Sequence, residues 1–502
     1  MRATDGSARE SLVAWLERRG ESPIVVETHV SVVAFQGERV YKVKKPVHFD
    51  FLDLSTPELR ARACEREVEL NRRLAPDVYL GVVEVTDDVG RVIEHAVEMR
   101  RMPDDRRLAT LVRAGADSTR CIESVAEALA RFHASARRSQ AISAAAGRDS
   151  IGDLWEHGFS EIRPFLGTVL DAGVAARVET LVRRYLSGRN AVFAKRIATG
   201  RVCDGHGDLL ADDVFCLGDG PRMLDCLEFD DRLRYGDALA DVAFLAMDLE
   251  LLGRPDLARC FLDRYRWRSA DDWPASLEHH YIAYRAHVRA KVACLRHDQG
   301  DCEAAARARA CLALVVNHLE AARVRLVLLG GLPGTGKSTL AAGLAERTGA
   351  VLLRSDVTRK ELAHLPTAYR TSAHYGEGLY EPASTDAVYQ RLGELAGAHL
   401  ESGESVILDA SWARASHRQA AECIARATAG DLIQIRCVAP ASVANERIAR
   451  RAAAGTDASD ASAAVAATMA RDYDAWPDAT TIDTASRSPG EMIASACALL
   501  CP

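Results

Sequence analysis

"VRLVLLGGLPGTGKSTLAAGLAERTG", residues 324–349, decides the fold of the second half of this 502-residue chain. Val324 to Leu329 is apolar apart from Arg325 and short enough for a strand, and the residues from Lys337 onward read as an amphipathic helix. Between them Gly331-Leu332-Pro333-Gly334-Thr335-Gly336-Lys337-Ser338 satisfies G-x-x-x-x-G-K-[ST] in full, in the strand–loop–helix context that gives the motif its meaning. Glycines let backbone N–H groups turn inward around a β-phosphate, and the start of the helix adds its partial positive charge. The loop, continued by Thr339, is therefore expected to bind ATP. Lys337 would reach the β- and γ-phosphates, and the Ser338 hydroxyl would ligate Mg²⁺.

Downstream, "AVLLRSD" (350–356), "SVILDAS" (405–411) and "LIQIRCV" (432–438) are apolar runs separated by helical stretches. That rhythm predicts a parallel α/β sheet. Asp409 ends the second run, where a strand tip lies beside the phosphate loop and a carboxylate can hold Mg²⁺; capping of the next helix is the other reading. Asp356 ends the first run and suits a general base for an acceptor hydroxyl, again with helix capping as the plainer role. "ERIARRAAAGTDASDA" (446–461) supplies Arg447, Arg450 and Arg451 on a segment that reads as a closing lid or as a solvated helix face. Together these pieces resemble the P-loop kinases that include gluconate kinases, polynucleotide kinases and zeta-type toxins, over roughly 324–485. The resemblance implies Arg447 and Arg451 as the lid pair.

The first half has a different texture. Residues 24–103 are strand-rich, with period-2 alternation in "ERVYKVK" (38–44), and 104–322 read mostly as helix. "HGDLLADDVF" (206–215) follows, then "RMLDCLEFDD" (222–231), a short strand ending in acids. The order strand-Lys, helix-Glu, Asp, Asp resembles protein kinases and their relatives, and "HGD" resembles the aminoglycoside phosphotransferase and choline kinase branch, over about 25–320. On that resemblance Lys42, with the small Val40 two places before it, binds the nucleotide, and its carboxylate partner comes from the helix "ARACEREVELNRRLA" (61–75). Glu67 is flanked there by Cys64, Val68, Asn71 and Leu74 on one face. Asp208 becomes the catalytic base. Asp225 becomes the metal-binding Asp, with Glu228 as runner-up, and Ser31 stands in for a missing glycine-rich loop. Asp237 and Asp241 in "YGDALADVAF" brace the loop. Asp213 stands five residues past Asp208, where the family carries Asn; it still offers a hard oxygen to Mg²⁺ and adds a negative charge.

The two halves in this order resemble the bifunctional aminoglycoside phosphotransferase/ATP-binding protein family, through "VYKVKKPV", "LNRRLAPDVYLGVV", "LDCLEFDDRLR" and "YRAHVRAKVACLRHDQGD" in the first half. A family name does not identify a substrate. The expected architecture is an α+β protein-kinase-like domain over 1–322, with a small lobe at 24–103 and a helical lobe at 104–322, followed by an α/β P-loop domain with a parallel sheet over 323–502.

Composition narrows the function. The chain is 48% hydrophobic and 27% charged, enough to bury real cores. A net charge of −7 argues against broad nucleic-acid binding and leaves room for a local basic groove; the one nucleic-acid partner expected is an RNA end. No stretch has signal-peptide or membrane-spanning character. Thirteen scattered cysteines without a CxxC pair predict reduced thiols in a cytoplasmic protein. Only seven of the 64 basic residues are lysines, and three of them lie in "VYKVKKP". The expected function is an ATP- and Mg²⁺-dependent phosphotransferase with two nucleotide sites and a small-molecule hydroxyl acceptor. The alternatives are a non-catalytic sensing first half that governs the P-loop half, and an RNA-end or toxin-like kinase. "YRAHVRAKVACLRH" puts Arg285, Arg289 and Arg296 on one stripe, suited to an anionic acceptor or to an ion-paired, solvated face.

Overall fold

The computed structural model describes residues 5–20, 22–28, 30–49, 52–366, 369, 377–454 and 462–500. The chain divides into two compact units. The first takes the residues up to Ala175 with Ala194–Trp273 and His280–His318; the second takes Ala176–Phe193, Pro274–His279 and the chain from Leu319 onward.

In the first unit five antiparallel strands lie in the order Ile24–Glu27, Ser31–Gln36, Arg39–Lys44, Val92–Arg100, Tyr79–Thr86. Arg39–Lys44 is central, and alternation sorts its side chains by face. Tyr41 and Val43 join Leu12, Trp15 and Leu16 of the helix Asp5–Glu17 in one core. Val40, Lys42 and Lys44 belong to the opposite face, where Cys64 and Val68 of the helix Pro57–Asn71 pack on Val97. That helix starts cleanly: the Thr56 hydroxyl accepts the Leu59 N–H at 3.3 Å, and Pro57 occupies the first turn. The central strand therefore presents two lysines to a helix that carries Glu67.

The rest of the unit is mainly helical. The helix Ala238–Leu251 is buried on nearly every side. Its N-cap, Asp237, accepts the Leu239 N–H and is gripped by the buried Arg196, which also forks onto Asp271 at 2.6 and 2.8 Å. Such buried charges persist because each is paired.

In the second unit five parallel strands lie in the order Val351–Arg354, Val406–Asp409, Arg325–Gly330, Asp431–Val438, Thr480–Asp483. The central strand is buried on both faces, as the continuous apolar run requires. Leu326 and Leu328 pack against the helices Pro382–Glu401 and Ala415–Ala427, whereas Val327 and Leu329 pack against Lys337–Thr348 and Pro489–Leu500. The strands that follow the first one lie on both sides of it, so a crevice opens at its C-terminal end, where the glycine loop begins. Two short pieces from earlier in the chain also belong to this unit. Arg189 Nη1 donates to Thr428 O at 2.8 Å, and Ser276 Oγ donates to Gly403 O at 2.6 Å. No feature of the sequence singles these pieces out.

Among the described residues no helix is long and apolar enough to cross a membrane. The expectation of reduced thiols gives way at one pair: Cys121, on the helix Thr119–Ser135, is bonded to Cys216, on the strand Val214–Leu217 just past Asp213. No local spacing marks this pair, because tertiary packing alone brings the two residues together. The bridge closes a stretch of 95 residues, so reducing it, or Cys121→Ser, should cost the first unit about 2–4 kcal/mol. Denaturant melts with and without reductant measure this; coincident curves would show that the bridge carries no stability.

Candidate functional site

In the first unit the candidate site is assembled around Glu67. Its side chain has no exposed surface, and its two oxygens take Lys42 Nζ at 2.8 Å and Lys44 Nζ at 2.7 Å. Lys42 Nζ also meets Asp225 Oδ1 at 3.0 Å, and Lys44 Nζ meets Glu228 Oε1 at 2.5 Å. Lys42, Glu67 and Asp225, named through the resemblance to kinases, are thus brought together in space. Lys44 and Glu228 form a second, parallel pair. The signal for Lys44 was its period-2 spacing from Lys42, which puts both on one face; for Glu228 there was no signal of pairing.

Asp225 is held by a strained turn. Its φ is +62°, a left-handed conformation that non-glycine residues adopt at some cost. The Asp225 N–H donates to the Tyr79 hydroxyl at 3.2 Å, and the Cys226 N–H donates to Asn71 Oδ1 at 2.8 Å. Asn71 lies one helical turn after Glu67, so the helix fixes both the glutamate and the backbone beneath Asp225. The Lys42 ammonium holds the Asp225 carboxyl below its usual range.

The "HGD" loop is braced from below. Asp241 accepts the N–H groups of His206 and Gly207, both at 2.8 Å, and contacts His133 Nε2 at 2.9 Å. Gly205 must be glycine, because a Cβ there would lie 2.6 Å from Asp241 Oδ2. His206 Nε2 donates to Leu224 O at 3.0 Å and so ties this loop to the residue before Asp225. Asp241 braces the loop as expected, whereas Asp237 caps its own helix and pairs with Arg196 instead. Ser31 is fully buried at the start of its strand, with its hydroxyl unpartnered among the described residues.

Burial pushes Asp208 up to about 6, with Arg289 and Arg285 opposing the shift and Asp225 and Asp248 adding to it. Burial, followed by the charges of Asp225 and Asp208, holds Asp213 well above the carboxylate range. Asp213 Oδ2 accepts the Leu210 N–H at 3.3 Å, which fixes the carboxyl at the start of its turn. Of the arginine stripe, Arg285 Nε donates to Ala240 O at 2.8 Å and its guanidinium lies over Phe244, Arg289 acts on the charge of Asp208, and Arg296 is exposed.

The second unit builds its candidate site from backbone. Gly331 (φ +139°) and Gly334 (φ +79°) could not carry a Cβ, which would lie 2.4 Å from Cys437 O and from Ala444 O respectively. The loop is held closed by Thr484, whose hydroxyl donates to Thr335 O at 2.7 Å. Arg447 then fastens Thr484, through its hydroxyl at 2.9 Å and its carbonyl at 2.7 Å. Arg447 therefore sits on the helix Ala441–Ala454 as part of the loop's frame, and with Gly334, Lys337, Ser338 and Arg451 it lines a cleft of about 440 Å³. Residues 455–461 of the expected lid lie outside the described residues.

Asp409 ends its strand as expected. It is buried, its Oδ1 has no hydrogen-bond partner among the described residues, and its Oδ2 takes Arg354 Nε at 3.3 Å. Burial raises it, opposed by Lys337, Ser338 and Arg354. An orphan carboxylate oxygen beside a hydroxyl is a hard-oxygen donor set that fits Mg²⁺, although no group of three or more His, Cys, Asp or Glu among the described residues is gathered for a metal. Asp356 departs from expectation in place. The strand stops at Arg354, and Asp356 lies in the first turn of the helix Ser355–Leu362 without capping it. There it lines a second cavity of about 380 Å³, also lined by Lys337.

Residues 326–476 match the family model of an AAA domain. Over 470 residues the chain is 45% identical to the uncharacterized protein Rv2004c of Mycobacterium tuberculosis, covering 93% of this chain and 94% of that protein. A choline/ethanolamine kinase family protein from Mesorhizobium loti matches at 14% identity and TM-score 0.39, over 63% of this chain and 98% of that one. A sugar kinase from Janibacter matches at 20% identity and TM-score 0.27, over 35% of this chain and 94% of that one.

Gly334→Ala should weaken nucleotide binding roughly tenfold or more, since the displaced backbone can no longer offer its N–H groups to phosphate. Gly349→Ala is the control, because it has a similar φ of +70° but open space around it, and should cost about 1 kcal/mol of stability alone. Equal ATP affinity of the two variants, by calorimetry, would contradict the assignment.

Proposed function

The chain belongs to the bifunctional aminoglycoside phosphotransferase/ATP-binding protein family together with its mycobacterial relative, and on that premise we propose that it is an ATP-dependent small-molecule phosphotransferase with two nucleotide sites. The observation that carries the reading is the place of Lys337. It lines both the cleft formed by the glycine loop and the cavity that contains Asp356. A γ-phosphate held by Lys337 would lie between nucleotide and acceptor, as in-line transfer requires.

The residues then divide the work. Backbone N–H groups of the loop and Lys337 hold the triphosphate. Ser338 and Asp409 would hold Mg²⁺, which supplies charge neutralisation for the transferring phosphoryl group. Asp356 takes the proton of the acceptor hydroxyl as its oxygen bonds to the γ-phosphorus; the bond from that phosphorus to the bridging oxygen breaks, and ADP leaves. In the first unit Lys42, oriented by Glu67, would hold the nucleotide phosphates, Asp225 and Asp213 would hold Mg²⁺, and Asp208 would take the acceptor proton. Neither the aminoglycoside of the family name nor any other acceptor follows from the fold.

A second reading is favoured by the Asp213 substitution and by the engagement of Asp225 with Lys42: the first unit binds a ligand without turnover and governs the second. Both readings keep the second unit as a kinase.

Asp356→Asn should leave ATP affinity near that of the parent and slow acceptor-dependent ADP release about 10²- to 10⁴-fold. Turnover at the parent rate would reduce Asp356 to a helix-terminus charge. The first unit is read in a full-length Lys337→Ala background, which silences the other site. Asp208 must be unprotonated to act as a base, so turnover there should be lost as pH falls through about 6 and regained above it. Asp208→Asn should remove that turnover while Asp213→Asn retains it. No turnover in the Lys337→Ala parent at any pH, with nucleotide still bound, would favour the sensing reading.

A further inference from the structure

The two carboxylates proposed to hold metal in the first unit are joined by a hairpin. Its strands, Val214–Leu217 and Gly220–Met223, form a two-stranded sheet of their own, which begins directly after Asp213 and ends just before Leu224 and Asp225. Val214 faces Met223, and the Leu224 N–H donates to Asp213 O at 2.9 Å, so both carboxylates move with the ribbon. A ribbon of two strands is marginal alone. One face of this ribbon is secured, since Phe215 and Leu224 pack in the core with Tyr79 and Val97. Alternation turns Cys216 to the other face, where its bond to Cys121 ties the ribbon to the helix Thr119–Ser135.

The same helix holds the preceding loop from its other end. His133, about 18 Å further along the axis, contacts Asp241 Oδ2 at 2.9 Å, and Asp241 takes the N–H groups of His206 and Gly207. Ties inside the span, from Ala211 N–H to Asp248 Oδ2 at 2.8 Å and from Arg107 Nη1 to Asp212 O, are hydrogen bonds. The covalent anchor is the one that redox chemistry can undo.

The bridge is not part of a disulfide framework. The other ten cysteines among the described residues are free. Small secreted domains pair most of theirs, whereas one bridge among many thiols is the pattern of a redox-responsive pair. Cys121 and Cys216 are half-buried, within reach of a small thiol, while burial pushes the thiols of Cys64, Cys203 and Cys437 up to about 12 and leaves them inert.

Resting on the reading of the first unit as a magnesium–nucleotide site, we propose that Cys121–Cys216 is a thiol–disulfide exchange site that switches it between a tight and a loose state. The reductant is a dithiol. One of its thiolates bonds to a bridge sulfur, the S–S bond breaks, and the departing cysteine sulfur takes a proton. The second dithiol sulfur gives up its proton and displaces the other cysteine, which leaves two cysteine thiols and a cyclic disulfide. Opening releases the outer face of the ribbon, and Asp213 and Asp225 lose their common alignment. Cys121 and Cys216 are positioning residues.

The test uses the full-length Lys337→Ala protein, purified without reductant and equilibrated with dithiothreitol or with its oxidised cyclic form. Alkylation of Cys121 and Cys216, read by peptide mass, reports the bridge, and calorimetry with AMP-PNP reports the site. Opening the bridge should weaken AMP-PNP binding in magnesium about 10- to 100-fold, the range expected when a metal ligand loses its support, and oxidation should restore it. With EDTA in place of magnesium the two forms should bind alike, which a general loosening of the fold would not produce. A double variant, Cys121→Ser with Cys216→Ser, should bind like the reduced form under all redox conditions. Full alkylation of both cysteines in the oxidised protein, a difference that persists in EDTA, a double variant that still responds to dithiothreitol, or loss of helical circular dichroism on reduction overturns the switch. Equal affinity of the open and closed forms in magnesium removes the switch alone. Absence of AMP-PNP binding in both forms removes the nucleotide reading of the first unit as well.

Discussion

Glu67 is a carboxylate with no contact with solvent, and it is tolerable only because two ammonium groups complete it, at 2.8 and 2.7 Å. Leaving such a group unpaired costs about 3–5 kcal/mol, a large part of the roughly 5–15 kcal/mol that holds a domain folded. That constraint organises the first unit. The central strand must bring Lys42 and Lys44 to one face, the helix Pro57–Asn71 must set Glu67 against them, and the turn at Asp225 must close over Lys42 from 183 residues away. Asn71, one turn beyond Glu67, reaches the backbone of Cys226, so the pairing and the loop beneath it form one cooperative piece. A nucleotide phosphate entering here would compete with Asp225 for Lys42, which makes the ion pair a natural device for holding the lysine in position.

The second unit meets a different constraint, close approach of backbone to phosphate. Gly331 and Gly334 have no room for a Cβ because the carbonyls of Cys437 and Ala444 lie where it would be. The loop is thus wedged between its own strand–helix junction and the elements that follow the neighbouring strand. Thr484 and Arg447 complete the frame with side-chain hydrogen bonds to Thr335 and to each other. An arginine used this way can line the nucleotide cleft and still be rigid, which is better suited to electrostatic stabilisation than a freely moving charge.

Both candidate sites place a carboxylate where burial alters its chemistry. Asp208 and Asp213 are raised by desolvation and by like charges, Asp225 is lowered by Lys42, and Asp409 keeps one oxygen without a partner. Carboxylates pushed apart in this way can take different roles, one moving a proton and another holding a cation. At position 213, burial and the charges of Asp225 and Asp208 raise the carboxyl, so the same surroundings that would favour a bound cation penalise the bare charge.

The sequence by itself determined the parallel sheet and its glycine loop, because the motif is local and a strand, a turn and a helix start are all it needs. The pairing of Lys42 with Glu67 came from the resemblance to kinases, and the period-2 and period-3.6 patterns served only to choose these two among neighbouring lysines and glutamates. What depends on contacts between distant segments was not legible. Lys44 and Glu228 form a second ion pair, Cys121 is bonded to Cys216, Asp237 grips Arg196 while Asp241 braces the loop, and Asp356 lies in a helix turn and not at a strand tip. Residues 176–193 joining the second unit through Arg189 and Thr428 is the extreme case, with 239 residues between the partners. Local periodicity fixes the direction in which a side chain leaves its own element; only the packing of elements decides what it meets there, and buried charges and hydrogen-bonding groups are the ones for which that meeting matters most.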